Sequence, residues 1–291
     1  MRILALTCLS LLSAAAAAES VARRLDAAAD SFVSINNTAG SVEVTGWSRK
    51  EVEVSGELGS SVEELVFERD GKNIEITVRT PKRGGRNISS ELVIHVPEKS
   101  SLEVGGVSAD IDVTNVHGTL QLQSVSGDID SEVNSADIEI TTVSGDVEVQ
   151  GDDKSGHAEL SSVSGDIDAQ NLAGEAVVNS VSGDLVLVNG SFERVRLETT
   201  NGDIVFKAKL SDDGTLNVET INGDLEIEFD GKVSARFDIE TFNGDIRNCF
   251  GPQPVRASEY TPGRELKFIE GGGKGRVTVK TLNGDLNLCK D

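Results

Sequence analysis

The stretch Ser124-Val125-Ser126-Gly127-Asp128-Ile129 decides the fold of this chain, because close copies of it recur along the sequence. Each copy is six residues long, with a hydroxyl residue first and a variable residue second. The third residue is Ser or Asn, and Gly, Asp and an aliphatic residue follow it. The glycines and aspartates of the eight copies are Gly127, Asp128, Gly145, Asp146, Gly165, Asp166, Gly183, Asp184, Gly202, Asp203, Gly223, Asp224, Gly244, Asp245, Gly284 and Asp285. Regular recurrence of this kind indicates a repeat architecture.

The copies are evenly spaced over most of the chain. Successive glycines lie 18, 20, 18, 19, 21, 21 and 40 residues apart. Weaker copies precede them at residues 107–111 and around Gly40. The even steps define a unit of about 19 residues, close to the size of known repeat units. The long last step marks an interruption of the series.

Apolar and polar residues alternate on both sides of each turn. The second residue after the Gly and the fifth before it are aliphatic in all eight copies, as Ile129 and Leu122 are in the first. Alternation with a period of two indicates two short, half-buried strands in each unit. The residue after the hydroxyl is also apolar, except at Thr200, so the alternation shifts by one there. We interpret the shift as a corner that directs these side chains into the interior.

The turn residues themselves have stereochemical roles. The Gly suits either a positive φ angle or a close approach of another backbone, and the Asp carboxylate can accept hydrogen bonds from turn amides. The residue before the Gly is Ser in the first four copies and Asn in the last four. Such grouping favours parallel stacking of the units, because like side chains then form hydrogen-bonded ladders. We therefore assign the repeated glycines and aspartates a structural role.

These patterns predict an all-β chain that folds as a parallel β-solenoid, with two short strands in each coil of about 19 residues. A β-propeller, in which pairs of units form the blades, is the alternative. Residues 101–291 are the predicted repeat domain, and residues 31–100 are a predicted β-rich N-terminal cap that hides the last apolar face. A linker is predicted over residues 19–30.

The N-terminus resembles an export signal. Arg2 precedes an apolar run over residues 3–12, and small residues follow with Ala16 and Ala18 in an A-x-A arrangement. This pattern is typical of a secretory signal peptide, so we predict that residues 1–18 are removed. No later stretch approaches the ~20 apolar residues of a spanning helix, and we predict no transmembrane segment. The periplasm is the predicted location, with the cell surface or the medium as alternatives.

Two cysteines, Cys249 and Cys289, follow the predicted signal peptide, and each lies five residues after its Gly. Equivalent positions on adjacent coils are about 4.8 Å apart, which is inside the range of Cα separations for a disulfide. We predict that the two are bonded, with two free thiols as the alternative. Bonding makes the insert between them, residues 250–276, a loop within one coil. The insert is rich in proline and basic residues.

The formal net charge of −22 limits the classes of partner. A surface of this sign repels nucleic-acid phosphates and anionic lipids, so we predict no nucleic-acid partner. The three histidines, His95, His117 and His157, lack metal-ligand spacing. No nucleophile elbow, phosphate-binding loop or HExxH motif occurs. We therefore predict no catalytic residue, no metal ligand and no cofactor. A polysaccharide-active β-helix enzyme is the alternative.

Calcium binding is a further hypothesis, based on the acidic turns. Three copies have a second acidic residue two positions after the Asp, in the pairs Asp128/Asp130, Asp146/Glu148 and Asp166/Asp168. Stacked carboxylates repel one another unless they are neutralised or hydrogen-bonded, and calcium prefers such oxygen ligands. A calcium-dependent scaffold is therefore an alternative function. Hydrogen bonding of the Asp to backbone amides is the role that we predict instead.

The repeated [ST]-x-[SN]-G-D-[ILV] motif resembles a known family when it is taken with GSVEVTGW at residues 40–47 and GGGKGRVTVKTLNGDL at residues 271–286. The chain is similar to the bacterial putative-adhesin β-strand-repeat family, a domain of unknown function, over residues 31–289. The resemblance implies an exported repetitive β protein without catalytic residues. We therefore predict a non-enzymatic, adhesin-like binding or structural module of the bacterial cell envelope, with an unidentified envelope or surface ligand.

Overall fold

The computed structural model describes residues 19–82, 87–134, 137–258 and 262–290. The signal peptide predicted for residues 1–18 lies outside this range, as do residues 259–261 of the insert. The described residues form strands joined by turns and no helix. Accordingly, none of them belongs to a helix long and apolar enough to cross a membrane.

The described strands follow one another along the chain with short connections. They are β1 (Glu19–Asp26), β2 (Phe32–Trp47), β3 (Glu51–Leu58), β4 (Glu64–Asp70), β5 (Asn73–Arg79), β6 (Ser90–Pro97), β7 (Ser101–Val116), β8 (Leu120–Gln123), β9 (Ile129–Val133), β10 (Asp137–Thr141), β11 (Val147–Gln150), β12 (Ser155–Ser161), β13 (Ile167–Gln170), β14 (Ala173–Asn179), β15 (Leu185–Asn201), β16 (Ile204–Asn222), β17 (Leu225–Phe229), β18 (Ala235–Asn243), β19 (Ile246–Asn248), β20 (Val255–Arg256), β21 (Arg264–Ile269), β22 (Gly275–Asn283) and β23 (Leu286–Lys290).

The strands form two faces, and each coil crosses from the first face to the second at its Gly-Asp corner. In the central coils, β8, β10, β12 and β14 pair in parallel on the first face. The strands after the corner, β9, β11, β13 and the start of β15, pair in parallel on the second face. The register places Leu122, Ile140 and Leu160 in line. The chain is therefore a parallel β-solenoid and not a propeller.

The apolar core lies between the two faces and runs along the stack. The residues two after and five before each repeated Gly are buried, as their alternation predicts. Phe192, Phe206 and Phe229 are among the largest fully buried side chains. Their ring centroids are 6.2 and 5.8 Å apart in that order. Because one coil alone exposes its apolar side, stacking of the coils is what removes this surface from water.

At the C-terminal end, the order of the coils in space differs from their order in the sequence. β22 pairs in parallel with β16 on one side and with β18 on the other. β23 likewise lies between β17 and β19. The last coil, residues 275–290, is therefore inserted between the coils of residues 215–229 and 235–248. Its strands have a partner on both edges, which protects the chain end from fraying.

The N-terminal end has a similar arrangement. β2 runs through a whole coil and pairs in parallel with β7 on one side and with β5 and β6 on the other. Residues 31–100, the predicted cap, thus contribute parallel coils to the stack. Antiparallel pairings of β1, β3 and β4 close its outer edge. The prediction of a linker over residues 19–30 is wrong, because β1 pairs with β3 along its whole length.

The insert caps the C-terminal end of the stack. β21 pairs antiparallel with β18, the outermost strand of the first face, and β20 pairs with β21. Phe268 stacks on Phe237 with ring centroids 4.4 Å apart, and the ring of Phe250 lies 5.3 Å from that of Phe237. The expectation of a loop within one coil is wrong, since the insert joins the outermost coil to the inserted one.

Candidate binding surface

A ladder of hydrogen bonds joins the Gly-Asp corners of neighbouring coils. The backbone N–H of every ladder Asp except the first, Asp110, donates to Oδ1 of the preceding Asp in the stack, at 2.7–3.2 Å. In spatial order the ladder comprises Asp110, Asp128, Asp146, Asp166, Asp184, Asp203, Asp224, Asp285 and Asp245. Asp285 precedes Asp245 because the last coil is inserted. The carboxylates therefore satisfy backbone donors that the strand pairings leave over.

The repeated glycines allow the backbones of adjacent corners to approach each other closely. A Cβ atom built on Gly165 would lie 2.1 Å from the carbonyl oxygen of Gly145, and the corresponding distances at all eight repeated glycines are 1.9–2.1 Å. Real Cβ atoms do not come this close to a backbone oxygen. Of the two roles that the sequence left open for these glycines, the close approach is the one that all eight share.

Two further columns of polar residues lie in the corner. The hydroxyl three residues before each Gly is buried and at most 7% exposed. Thr199 Oγ1 and Thr241 Oγ1 donate to neighbouring Gly carbonyls at 3.2 and 3.1 Å. The asparagines form an amide ladder, in which Nδ2 donates to Oδ1 at 2.8–2.9 Å. Its order in space is Asn201, Asn222, Asn283 and Asn243. The ladder is the arrangement that the grouping of Ser and Asn favours.

We expect Asp184→Ala to lower the free energy of unfolding by about 1.5 kcal/mol, because the N–H of Asp203 loses a charged acceptor. That N–H lies 2.7 Å from Asp184 Oδ1. Asp184→Asn keeps an oxygen in place and removes one negative charge, so it should stay within about 0.5 kcal/mol of wild type. Urea unfolding followed by circular dichroism measures both variants. Equal destabilisation by the two substitutions would argue against the ladder.

An exposed apolar ridge follows the Gly-Asp corners along the stack. It consists of the residue after the buried hydroxyl on successive coils, and its aliphatic and aromatic side chains are 42–50% exposed. In spatial order the ridge comprises Val107, Val125, Val143, Val163, Val181, Ile221, Leu282 and Phe242, with Thr200 before Ile221. The prediction that this column points inward is wrong. The hydroxyl and the closely packed Gly backbone fill the corner, so the side chain between them turns to solvent.

Backbone hydrogen bonds hold the ridge residues one above another. The carbonyls of Val107, Val125, Val143 and Val163 accept from the serine N–H of the next coil at 2.8–2.9 Å. Strand pairing sets the rise from one coil to the next at about 4.8 Å. The five valines Val107, Val125, Val143, Val163 and Val181 are termed the valine segment below. They present one aliphatic side chain per coil at this spacing.

At its C-terminal end, the ridge borders an open groove of about 600 Å³. Ile221, Leu282 and Phe242 of the ridge line the groove together with Ala257 and Gly263 of the insert. Charged side chains also line it: Glu198, Glu219, Glu240, Arg264 and Lys280. In this groove the ridge and the insert form one concave surface.

Both signs of charge lie in the walls of this groove. Arg264 Nε is 3.4 Å from Asp245 Oδ1 at the corner. In the strand register, Lys280 is placed between Glu219 and Glu240. An apolar floor with a few polar groups in the walls is typical of ligand-binding clefts. In the strand register the charged row of the wall reads Glu198, Glu219, Lys280 and Glu240.

Charge is distributed unevenly along the stack. Residues 98–230 contain 28 acidic and six basic residues, a net charge of −22, whereas residues 231–291 contain eight acidic and ten basic residues. The central coils therefore carry the acidity of the chain, and the coils around the groove are close to neutral. Anionic partners are repelled most strongly by the central coils.

Two aspartates in an acidic row on the second face have perturbed ionisation. Partial burial raises the pKa of Asp112, and the nearby charges of Glu43 and Glu132 add to the effect. Partial burial also raises the pKa of Asp130, with Asp112 and two ladder aspartates adding to it. The row continues through Glu148 in the strand register. Like charges in register destabilise a sheet, so this row works against folding at neutral pH.

The predicted disulfide is confirmed. Cys249 and Cys289 are bonded, with Cα atoms 4.9 Å apart and a sequence separation of 40 residues. Cys249 follows β19 and Cys289 lies in β23, which is the neighbour of β19 on the second face. The two are adjacent because the last coil is inserted next to the outermost one. The alternative of two free thiols is wrong.

The histidines do not form a catalytic or metal-binding group. The ring of His95 packs against Trp47 with centroids 4.9 Å apart. His157 lies on β12, and His117 lies in the turn before β8. Among the described residues, no group of three or more His, Cys, Asp or Glu side chains is placed to hold a metal ion. The ladder aspartates use Oδ1 for backbone N–H groups, so they give the calcium hypothesis no support.

Comparison with known proteins identifies a family. The family model described as Toastrack DUF4097 matches residues 31–289. No curated protein matches the sequence.

Solved structures include distant neighbours. A "putative adhesin" from Parabacteroides distasonis ATCC 8503 is 10% identical, with a TM-score of 0.48, and the match covers 95% of this chain and 98% of that one. A "putative adhesin" from Bacteroides fragilis NCTC 9343 is 12% identical, with a TM-score of 0.42 and coverages of 93% and 97%. A "putative lipid binding protein" from P. distasonis ATCC 8503 is 9% identical, with a TM-score of 0.44 and coverages of 92% and 96%. At these identities and TM-scores, the neighbours carry no information about a ligand.

Proposed function

The chain belongs to the Toastrack DUF4097 family, which its residues 31–289 match, and from this premise we propose that it is an exported, non-enzymatic binding module of the bacterial cell envelope. The signal-peptide pattern of residues 1–18 and the bonded pair Cys249–Cys289 support export, because disulfides persist in oxidising compartments. The periplasm is the proposed location. The absence of a convergent catalytic group among the described residues supports a binding role over the polysaccharide-active alternative.

The groove beside the insert is the proposed binding site. The observation that carries this proposal is the exposure of Ile221, Leu282 and Phe242, each 46–47%, along one concave surface. Large apolar side chains exposed side by side mark interaction sites in soluble proteins. The rest of the stack presents the same ridge without an opposing wall. Only at this end does the insert supply a second side, with Ala257 and Gly263.

The chemistry of the groove fits an extended segment of a partner protein. Its floor is apolar and narrow, since the ridge is one residue wide on each coil. Its wall alternates Glu219, Lys280 and Glu240 along the strand register. Apolar side chains of an extended segment would pack on the ridge, and polar groups of either sign would meet the wall. A strongly anionic ligand would be repelled by the adjoining central coils.

Photo-crosslinking in intact cells tests this proposal. We expect a photoreactive amino acid at position 242 to form a specific adduct with an envelope protein, because Phe242 lines the groove. The same probe at position 269 is the matched control, since Ile269 is 63% exposed but lies outside the groove. Ile221→Asn in the background of the position-242 probe should abolish the adduct. Lack of an adduct at position 242, or an equal adduct at both positions, would overturn the proposed site.

A further inference from the structure

We infer that the valine segment is a self-association surface, on which a second copy of this chain docks ridge to ridge. This inference concerns the central coils and does not depend on the groove or its ligand. The five valines are 42–50% exposed and stand in one line, one on each coil. A continuous row of exposed aliphatic side chains is unfavourable in water and marks an interaction surface.

The surroundings of the valine segment are uncharged on both sides. The residue that follows each of Val125, Val143, Val163 and Val181 is Ser. On the other side, the strand ends are the uncharged residues Gln123 and Thr141, which are exposed, and Ser161 and Asn179, which are half-buried. The corresponding strand positions beside the C-terminal half of the ridge are Glu198, Glu219, Glu240 and Lys280. The valine segment is thus a neutral strip on the most acidic part of the chain.

This neutrality selects a second copy as the occupant. A docking partner must offer an apolar strip with uncharged flanks. A basic partner would find no carboxylate directly beside the valines, and it would bind instead to the aspartate ladder or to the acidic row on the second face. The same segment of another copy meets both conditions. The valines of a second copy necessarily have the same spacing, one on each coil. The valines of one copy can therefore fit between those of the other along the whole contact. Self-complementary contacts of this kind give closed two-fold dimers.

The acidic charge of the central coils opposes this association. The ladder aspartates run parallel to the ridge, beyond the serines, and two copies bring two such ladders towards each other. The segment itself is smaller than the ~800 Å² per partner of a standard interface. We therefore expect a weak, concentration-dependent dimer. Added salt should strengthen it, because salt screens the carboxylates and leaves the apolar contact in place.

Sedimentation equilibrium at low and high salt tests the inference on the intact chain. Wild type should dimerise more tightly at high salt. The triple substitution Val125→Asn, Val143→Asn and Val163→Asn should weaken dimerisation by roughly tenfold or more, as removal of central contact residues does. The matched control is Val255→Asn with Ile269→Asn, which changes residues that are 57% and 63% exposed on the insert. The control should dimerise like wild type.

Two further sets of variants control for misfolding and determine how the two copies are oriented relative to each other. The corresponding triple substitution to Thr retains the β-branched shape, which Thr200 has naturally in the same column, and it should also weaken the dimer. Single cysteines at positions 107, 143 and 181 in a Cys8→Ser background report proximity by disulfide formation. Parallel copies would crosslink at all three positions, and antiparallel copies only near the two-fold axis. A monomer at every concentration and salt, or a dimer that both triple variants leave unchanged, would overturn the inference.

Discussion

Gly165→Ala is expected to lower the free energy of unfolding by about 3 kcal/mol, at the upper end of the usual cost of overpacking. A Cβ at this position would lie 2.1 Å from the carbonyl oxygen of Gly145. The obstacle is backbone, and hydrogen bonds between the two coils hold it on both sides: Ser164 N–H donates to the carbonyl of Val143, and Val147 N–H donates to the carbonyl of Asp166. The two coils must therefore separate locally to admit one methyl group. Because each coil is stabilised mainly by its neighbours, the substitution should weaken the interface between these two coils.

Urea unfolding followed by circular dichroism measures the effect. Gly272→Ala is the matched control, because a Cβ there would meet only the side-chain oxygen of Ser234, at 3.3 Å. We expect that control to remain within about 0.5 kcal/mol of wild type. A second transition in the Gly165→Ala curve would show that the stack unfolds in two parts at the damaged interface. The close-approach explanation fails if the two variants unfold at the same urea concentration.

Loss of the disulfide is expected to cost about 4 kcal/mol, from the entropy of closing a loop of about 40 residues in the unfolded chain. The bond between Cys249 and Cys289 spans 40 residues of sequence. It also ties the inserted coil to the outermost coil, so that β22 and β23 cannot leave the stack separately. The double substitution Cys249→Ser and Cys289→Ser should therefore loosen the C-terminal end first.

Urea unfolding and limited proteolysis together test this expectation. The midpoint of the double variant should fall, and cleavage within residues 250–276 should precede cleavage of the central coils. Reducing agent provides an internal control: it should lower the midpoint of wild type to that of the double variant and leave the variant unchanged. An oxidised wild type and a double variant with equal midpoints and equal cleavage patterns would contradict the role of the bond.

Strict alternation could have located the ridge. The positions seven, five and three residues before each Gly point inward, as Leu120, Leu122 and Ser124 do. The next residue, Val125, should then point outward, and it is 45% exposed. The sequence interpretation instead treated its apolar character as evidence of burial. Hydrophobicity at a single position is a weaker guide than the phase of the strand, because folded proteins expose many aliphatic side chains.

The coil order at the two ends could not be derived from the repeats. Gly223 approaches Gly284 rather than Gly244, although all three lie in the same motif. Equivalent positions in different coils carry nearly the same residue types. By this pattern alone, each coil can pair equally well with several others. The choice depends on which arrangement also covers the end of the stack. Here the insert supplies Phe250 and Phe268 to the outermost coil, and the disulfide joins that coil to its inserted neighbour.

The sequence by itself therefore determined the unit of this protein: a coil of about 19 residues with two strands, a Gly-Asp corner, a buried core column and a cysteine pair in equivalent positions. These features depend on contacts within a coil and between equivalent positions of neighbouring coils. Every copy of the repeat carries the residues that make these contacts. Only the tertiary structure decided the order of the coils at the ends, the capping by the insert, and the exposure of the valine segment and the groove. The coil order depends on competition between nearly equivalent strand pairings, and the exposure of the ridge depends on how tightly the corners pack. Both are set by residues far apart in the sequence, so neither can be inferred from a residue and its sequence neighbours.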